Sequence, residues 1–101
     1  MKNKLLKIIK HYGIDNQLRK FNEESFELIE AITHFRYVDI YKGTHAYKYH
    51  YKHIKEEIAD NLVLLTQFIL YYNINLDDIE EIFKQKVERQ LKRIESEKGN
   101  G

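Results

Sequence analysis

The stretch KEEIADNLVLLTQFILYYNINL, residues 55–76, decides the fold. It opens with charged residues, but no charged residue occurs from position 61 to position 76. We predict a helix over about residues 53–73, and uncharged side chains then lie on nearly every side of its second half. A helix that is apolar all round must be covered all round. Because a chain of 101 residues with three long helices provides little cover, we expect a helical bundle completed by a homodimer or homotetramer.

Two further helices are predicted before this stretch. Residues 2–11 have the pattern of a short amphipathic helix, which Gly13 ends. A longer helix is capped by Asp15 or Asn16 and runs to about His34. Its apolar stripe recurs at steps of three and four residues and consists of Leu18, Phe21, Leu28, Ile32 and Phe35.

Residues 36–52 break the helical pattern. They contain Gly43, the alternating segment YKYHYK and five of the eight tyrosines. We predict a loop, with a helical turn or an early start of the next helix as the alternatives. From position 36 to position 55 there are five Lys or Arg, three His and one Asp, so this segment is either a lid that holds phosphates and stacks a base or a solvated loop. Zinc binding by His45, His50 and His53 is the weaker interpretation, because the spacing is irregular and no Cys is present.

A last helix is predicted from Asn75, with Asp77 and Asp78 in its first turn. It runs to about Ile94, and we expect the residues after it to fray. No linker separates domains, so residues 1–101 are predicted to form a single all-α domain.

Composition excludes several classes of protein. About a third of the residues are charged, yet the net charge is only +1. The chain as a whole therefore lacks the excess of positive charge that is typical of proteins that bind nucleic acid. There is no cysteine, which excludes thiolate metal sites and suits a reducing cytoplasm. The N-terminal apolar run is too short for a signal peptide, and the uncharged stretch is shorter than the roughly 20 apolar residues of a membrane span. We expect a cytoplasmic protein that does not enter the membrane.

Two acidic pairs carry the chemistry. Glu24 and Glu27 are three residues apart on one predicted helix, and Glu57 and Asp60 have the same spacing on another. Residues three apart share one side of a helix, so each pair is a small pincer of oxygen ligands. Either pair alone is most simply a solvated surface. Both pairs together, each bordering an apolar stripe, favour a site for Mg²⁺ or Mn²⁺, beside which Glu23 adds a further carboxylate.

Cations on the last helix are the second signal. Lys86, Gln90 and Arg93 recur at steps of four and three and border the apolar side chains Ile79 and Ile82. The simple explanation is that the long side chains cover apolar surface and reach water with their charged ends. The functional explanation is that they bind an anionic ligand, such as a polyphosphate, beside the carboxylates.

These elements resemble the all-α MazG-like nucleoside triphosphate pyrophosphohydrolases. The family signature is E-x-x-E followed after a gap by E-x-x-D, as in NEESFELIEAI and KEEIAD, and Lys20 matches a basic residue before the first pair. KVERQLKR resembles the family element K-x-x-x-N-x-x-R and assigns Lys86 and Arg93, with Gln90 where Asn is usual. The resemblance covers about residues 17–93, and the gap between the pairs is longer than is typical.

The resemblance implies an Mg²⁺-dependent enzyme that converts an NTP or dNTP to the monophosphate and pyrophosphate. It assigns the four carboxylates of the two pairs to the metal, and Glu23 or one of the ligands to the proton of the attacking water. It assigns Lys20, Lys86 and Arg93 to the phosphates and Gln17 to an edge of the base. It also implies a site formed in a bundle shared between subunits.

Three other functions are compatible with these residues. The first is a catalytically silent interaction module with the same bundle and solvated carboxylates. The second is a nucleic-acid-binding protein that uses residues 36–55. The third is a related enzyme of the phosphoribosyl-ATP pyrophosphohydrolase type.

Overall fold

A computed structural model describes residues 1–100 as four α-helices, with no strand among them. The helices are α1 (Lys2–Tyr12), α2 (Ile14–Val38), α3 (His45–Tyr71) and α4 (Leu76–Asn100). The predicted all-α class is confirmed. The chain divides into two compact units, Met1–Tyr71 with the first three helices and a second unit that begins at Tyr72 and contains α4.

The turn between α1 and α2 consists of a single residue. Gly13 has φ 87° and ψ 153°, and its N–H donates to the carbonyl of Ile9. An L-residue rarely adopts such a φ, which explains why glycine stands at this junction. The predicted cap at Asp15 or Asn16 is wrong, because Gly13 is the N-cap and no side chain caps α2. Asn16 instead donates from Nδ2 to the carbonyl of Tyr12 at 2.6 Å.

The predicted loop over residues 36–52 is mostly helical. α2 continues to Val38 and α3 begins at His45, so the alternative of an early start of the helix is the correct one. Thr44 Oγ1 accepts the N–H of Tyr47 at the start of α3. Tyr47 and Tyr51, one turn apart, pack their rings against Phe35 with centroids 5.2 and 5.8 Å away. This aromatic contact joins the end of α2 to the start of α3, in the segment where the alternating sequence pattern predicted a loop.

The first unit has a core in which polar residues outnumber apolar ones. The buried apolar residues are Leu5, Ile9, Ala31 and Leu64, and the buried polar residues are Gln17, Glu24, Glu57, Asn61 and Gln67. The predicted stripe of α2 is therefore only partly right: Phe21, Leu28 and Phe35 are half-buried, but Leu18 and Ile32 are 50% and 42% exposed. The centre of the buried face is instead Gln17, Glu24 and Ala31, which repeat every seven residues, or about two turns.

The second unit is the single helix α4. Its start agrees with the prediction to within one residue, since Asn75 Oδ1 accepts the N–H of Asp77 in the first turn. Its end does not, because the helix continues past Ile94 to Asn100. In residues 1–100, no helix combines the length and the apolar character needed to cross a membrane.

Candidate metal centre

Two buried glutamates occupy neighbouring helices of the first unit. Glu24 belongs to the buried face of α2 and Glu57 to that of α3, and each is only 7% exposed. Ionised side chains are rarely buried without a partner. Their burial on two packed helices therefore makes this position a candidate functional site.

Asp60 completes a group of three. In the part of the chain that the structure describes, Glu24, Glu57 and Asp60 form the one group of three or more His, Asp or Glu side chains placed to hold a cation, each with a ligand atom within 4.8 Å of the other two. Asp60 is exposed, one turn along α3 from Glu57. Carboxylate oxygens contributed by two helices are the ligands that Mg²⁺ and Mn²⁺ prefer. The two predicted pincers thus meet through three of their four members.

The two buried glutamates each have one engaged oxygen and one free oxygen. Lys20 Nζ lies 3.2 Å from Glu24 Oε1, and His53 Nε2 lies 3.2 Å from Glu57 Oε1. Oε2 of each glutamate is buried without a hydrogen-bond partner. An unpartnered buried carboxylate oxygen is costly, and a cation in contact with both oxygens would remove that cost. The donor set therefore fits a divalent cation.

The electrostatics of the group also point to missing positive charge. Burial raises the pKa of the Glu57 carboxyl, the bond from His53 opposes this, and the neighbouring Glu24 adds to the rise. The pKa of the exposed Glu27 is raised mainly by the charge of Glu24. Ionised carboxylates at close range repel one another, which favours the protonated form of Glu57 and of Glu27. A bound cation would reverse this preference.

Two further predicted acids lie at the border of the group. Glu27 is exposed and is not one of the three residues whose ligand atoms converge, although its pKa responds to Glu24. Glu23 is exposed and lines a groove beside the group. Their roles as fourth ligand and as catalytic base stay predictions.

This groove is the natural place for a ligand of the carboxylates. It has a volume of about 700 Å³ and lies between α1, α2 and α3. Glu24 and Asp60 contribute an acidic wall, Lys20 a basic one, and Tyr12 and Val63 apolar surface. A groove with apolar, basic and metal-binding walls has the chemistry to bind a phosphorylated organic molecule.

Gln17 lies in the same groove, as the prediction of a ligand contact requires. Its Nε2 donates to Gln67 Oε1 at 2.8 Å, and both residues line the groove while remaining almost fully buried. Gln67 was not singled out from the sequence, since a lone amide within an apolar run gives no signal of its partner 50 positions earlier.

The predicted cations of α4 are exposed. Lys86 and Arg93 lie seven residues apart, about two turns, and so share one side of that helix. The structure describes α4 as its own unit, so their role at the phosphates stays a prediction.

The three histidines weighed as a zinc site do not form one. His45, His50 and His53 lie along α3, and no group of three ligands that includes any of them is present in residues 1–100. His53 bonds Glu57, whereas His50 stacks edge-on against His34 with ring centroids 6.0 Å apart.

Comparison with known proteins gives one match. The family model described as the MazG nucleotide pyrophosphohydrolase domain matches residues 13–94, which include α2, α3, the carboxylate group and most of α4. No curated protein and no solved structure matches the chain.

Proposed function

The chain belongs to the family of MazG nucleotide pyrophosphohydrolase domains, and we propose that it hydrolyses a nucleoside triphosphate, NTP or dNTP, to the monophosphate and pyrophosphate with the help of Mg²⁺ or Mn²⁺. One observation carries the proposal: Glu24 and Glu57 each bury an oxygen that has no partner, in a group that Asp60 completes. A catalytically silent module has no reason to maintain such a costly arrangement.

The cation would be held by Glu24, Glu57 and Asp60, with Glu27 as the fourth ligand. When bound, Mg²⁺ supplies positive charge that neutralises the phosphate oxygens of the substrate. Lys20, already beside Glu24 at the edge of the groove, adds a cation that can reach those oxygens.

A water oxygen bonds to one of the two phosphorus atoms of the α–β linkage, and the bond from that phosphorus to the bridging oxygen breaks. The bridging oxygen leaves on pyrophosphate when the α phosphorus is attacked and on the monophosphate when the β phosphorus is attacked. Glu23, exposed in the groove, accepts the proton that the water loses. Lys86 and Arg93 stabilise the charge that develops on the phosphates. Gln17 contacts an edge of the base from the floor of the groove.

We also propose that the protein works as a homodimer or homotetramer in the cytoplasm, where nucleotides are found. Large apolar side chains on both long helices of the first unit support this, since Phe26 and Ile29 of α2 and Leu62 of α3 are at least half exposed. A helix face of this kind is normally covered by another subunit. Analytical ultracentrifugation should show a dimer or tetramer, and Leu62→Glu should dissociate it; a monomeric parent protein would contradict the proposal.

Variants of two adjacent glutamates, one buried and one exposed, test metal binding and activity. Glu57→Gln removes a buried ligand, whereas Glu56→Gln alters an exposed residue that makes only a 3.9 Å contact with Lys52. At about 100 times the dissociation constant, Mg²⁺ should stabilise the parent protein and Glu56→Gln by about 2.7 kcal/mol, and Glu57→Gln far less.

The same three proteins are assayed for pyrophosphate release from a panel of canonical and modified NTPs and dNTPs, with phosphoribosyl-ATP included. We expect release with the parent protein and Glu56→Gln, and loss with Glu57→Gln. The proposal fails if the parent protein neither responds to Mg²⁺ nor hydrolyses any NTP or dNTP, or if Glu57→Gln hydrolyses like Glu56→Gln. Hydrolysis of phosphoribosyl-ATP alone would place the enzyme in that related class instead.

A further inference from the structure

A single amide joins the backbones that carry the two buried glutamates. Asn61 of α3 donates from Nδ2 to the carbonyl of Glu24 at 3.0 Å and to the carbonyl of Glu57 at 2.7 Å. The amide nitrogen carries two hydrogens, so both are used. Asn61 is 7% exposed, and both of its bonds are buried.

The two bonds have different consequences. The bond to Glu57 is local, one turn back along α3. The bond to Glu24 crosses from α3 to α2 and connects residues 37 positions apart. A slide of one helix along the other by a single residue is about 1.5 Å, which is enough to break a hydrogen bond and to separate carboxylates that must meet on one ion. The crossing bond therefore ties the backbone of Glu24 to α3 one turn from Glu57.

From this geometry we infer that Asn61 is a positioning residue for the cation. It holds the ligand-bearing backbones of α2 and α3 in register, and it does not touch the ion itself. The inference rests on the proposed function, because it assigns Asn61 a role at that same site. A purely stabilising bond could be made to any carbonyl of α2, whereas this bond is made to the carbonyl of a proposed ligand, Glu24.

The chain shows how the crossing bond can be removed alone. Thr33 and Thr66 each donate from Oγ1 to the carbonyl four residues earlier in their own helix, at 2.8 and 2.7 Å. Asn61→Thr should therefore keep a bond to the Glu57 carbonyl, while its shorter side chain loses the bond to Glu24. Asn61→Leu removes both bonds at similar volume.

Gln67→Leu is the matched control. Gln67 is on the same helix, is 1% exposed, and likewise makes a buried side-chain bond to α2, but its partner is Gln17 and not a ligand residue. The control therefore removes a buried bond between these helices that is not made to the backbone of a ligand residue.

Binding of Mn²⁺ alone, followed by electron paramagnetic resonance, is the readout, with circular dichroism to verify the fold. We expect Asn61→Thr and Asn61→Leu to weaken Mn²⁺ binding by about tenfold or more, and Gln67→Leu to change it less than about twofold. Should Asn61→Leu not fold, Asn61→Thr decides the question.

Three results would overturn the inference. Parent-like Mn²⁺ affinity in Asn61→Thr refutes it while leaving the proposed function intact. Equal weakening by Asn61→Thr and Gln67→Leu also refutes it, because the effect is then one of general stability. A parent protein that binds no Mn²⁺ refutes the proposed function, and the role of Asn61 with it.

Discussion

Lys20 and His53 stand in the same relation to the two buried carboxylates. Each lies four residues before its glutamate, and each places a nitrogen 3.2 Å from Oε1 of that glutamate. Residues four apart are neighbours on a helix, so both contacts form within a single helix and need no help from the other. The nitrogen of each of these residues thus engages one oxygen of its glutamate, and Oε2 is left for a ligand that both helices share.

Lys20→Met should impair the reaction far more than the fold. The Lys20 side chain is 55% exposed, so its ion pair contributes less than about 1 kcal/mol to stability. Loss of a cation beside the phosphates should lower kcat/KM by on the order of 10²-fold. Lys84→Met is the control, because Lys84 makes an equally short 3.2 Å pair with Glu80 on α4. Urea denaturation and steady-state kinetics measure both effects, and equal kinetics for the two variants would contradict the role of Lys20.

The stability of the metal-free protein should depend on pH through Glu57. Burial raises the pKa of this carboxyl above its ordinary value of 4.5, although the bond from His53 acts in the opposite direction. A group with a raised folded-state pKa binds more protons when folded, so its favourable contribution is complete below the unfolded pKa and is lost as the pH rises through the folded pKa.

In EDTA, the Tm of the parent protein should therefore fall relative to that of Glu57→Gln as the pH rises from about 4 to 8. Saturating Mg²⁺ should reduce this loss, because a cation favours the ionised form. Thermal unfolding at a series of pH values measures the difference between the two proteins. If Tm depends on pH in the same way for the parent protein and Glu57→Gln in EDTA, the folded protein does not raise the pKa of Glu57.

Gln17 and Gln67 should be energetically coupled through their buried hydrogen bond. Gln67→Leu leaves the amide of Gln17 without its buried partner and should cost about 1–3 kcal/mol. The double variant Gln17→Leu/Gln67→Leu removes both polar groups and should cost less than the sum of the single changes, with a coupling of at least about 0.5 kcal/mol. A double-mutant cycle by urea denaturation measures this coupling, and strictly additive values would mean that the pair contributes nothing in solution.

Gly13→Ala tests the turn between α1 and α2. No atom lies within 4 Å of the added Cβ, so any cost arises from the φ of 87° alone. We expect a loss of about 1–2 kcal/mol. Gly99→Ala provides the contrast: this helical glycine also has open space around it, and alanine there should stabilise slightly, by up to about 1 kcal/mol. Equal effects of the two changes in urea denaturation would show that the turn is not strained.

One part of the carboxylate group, the pair Glu57 and Asp60, could be predicted from the sequence because its spacing is local. Glu57 and Asp60 share a side of α3 through helix geometry alone, and the contact of His53 with Glu57, one turn earlier, could have been read in the same way. The tyrosines offered the same kind of signal. Tyr47 and Tyr51 are one turn apart, but the strict alternation around them concealed the helix.

The sequence did not predict the core of α2, for a different reason. A search for apolar periodicity selects Leu18, yet the buried residue is its neighbour Gln17, whose burial depends on an amide 50 positions away. The bond from Asn61 to Glu24 is equally non-local. Contacts of this kind depend on the register between two helices, which no single helical wheel contains.

The first unit buries five polar or charged residues and four apolar ones. Apolar substitutions at the buried polar positions would be expected to raise the stability of the fold and to remove the proposed metal site. Selection for stability and selection for activity would therefore act in opposite directions on the same few side chains. We therefore expect the fewest tolerated substitutions at the interface between α2 and α3.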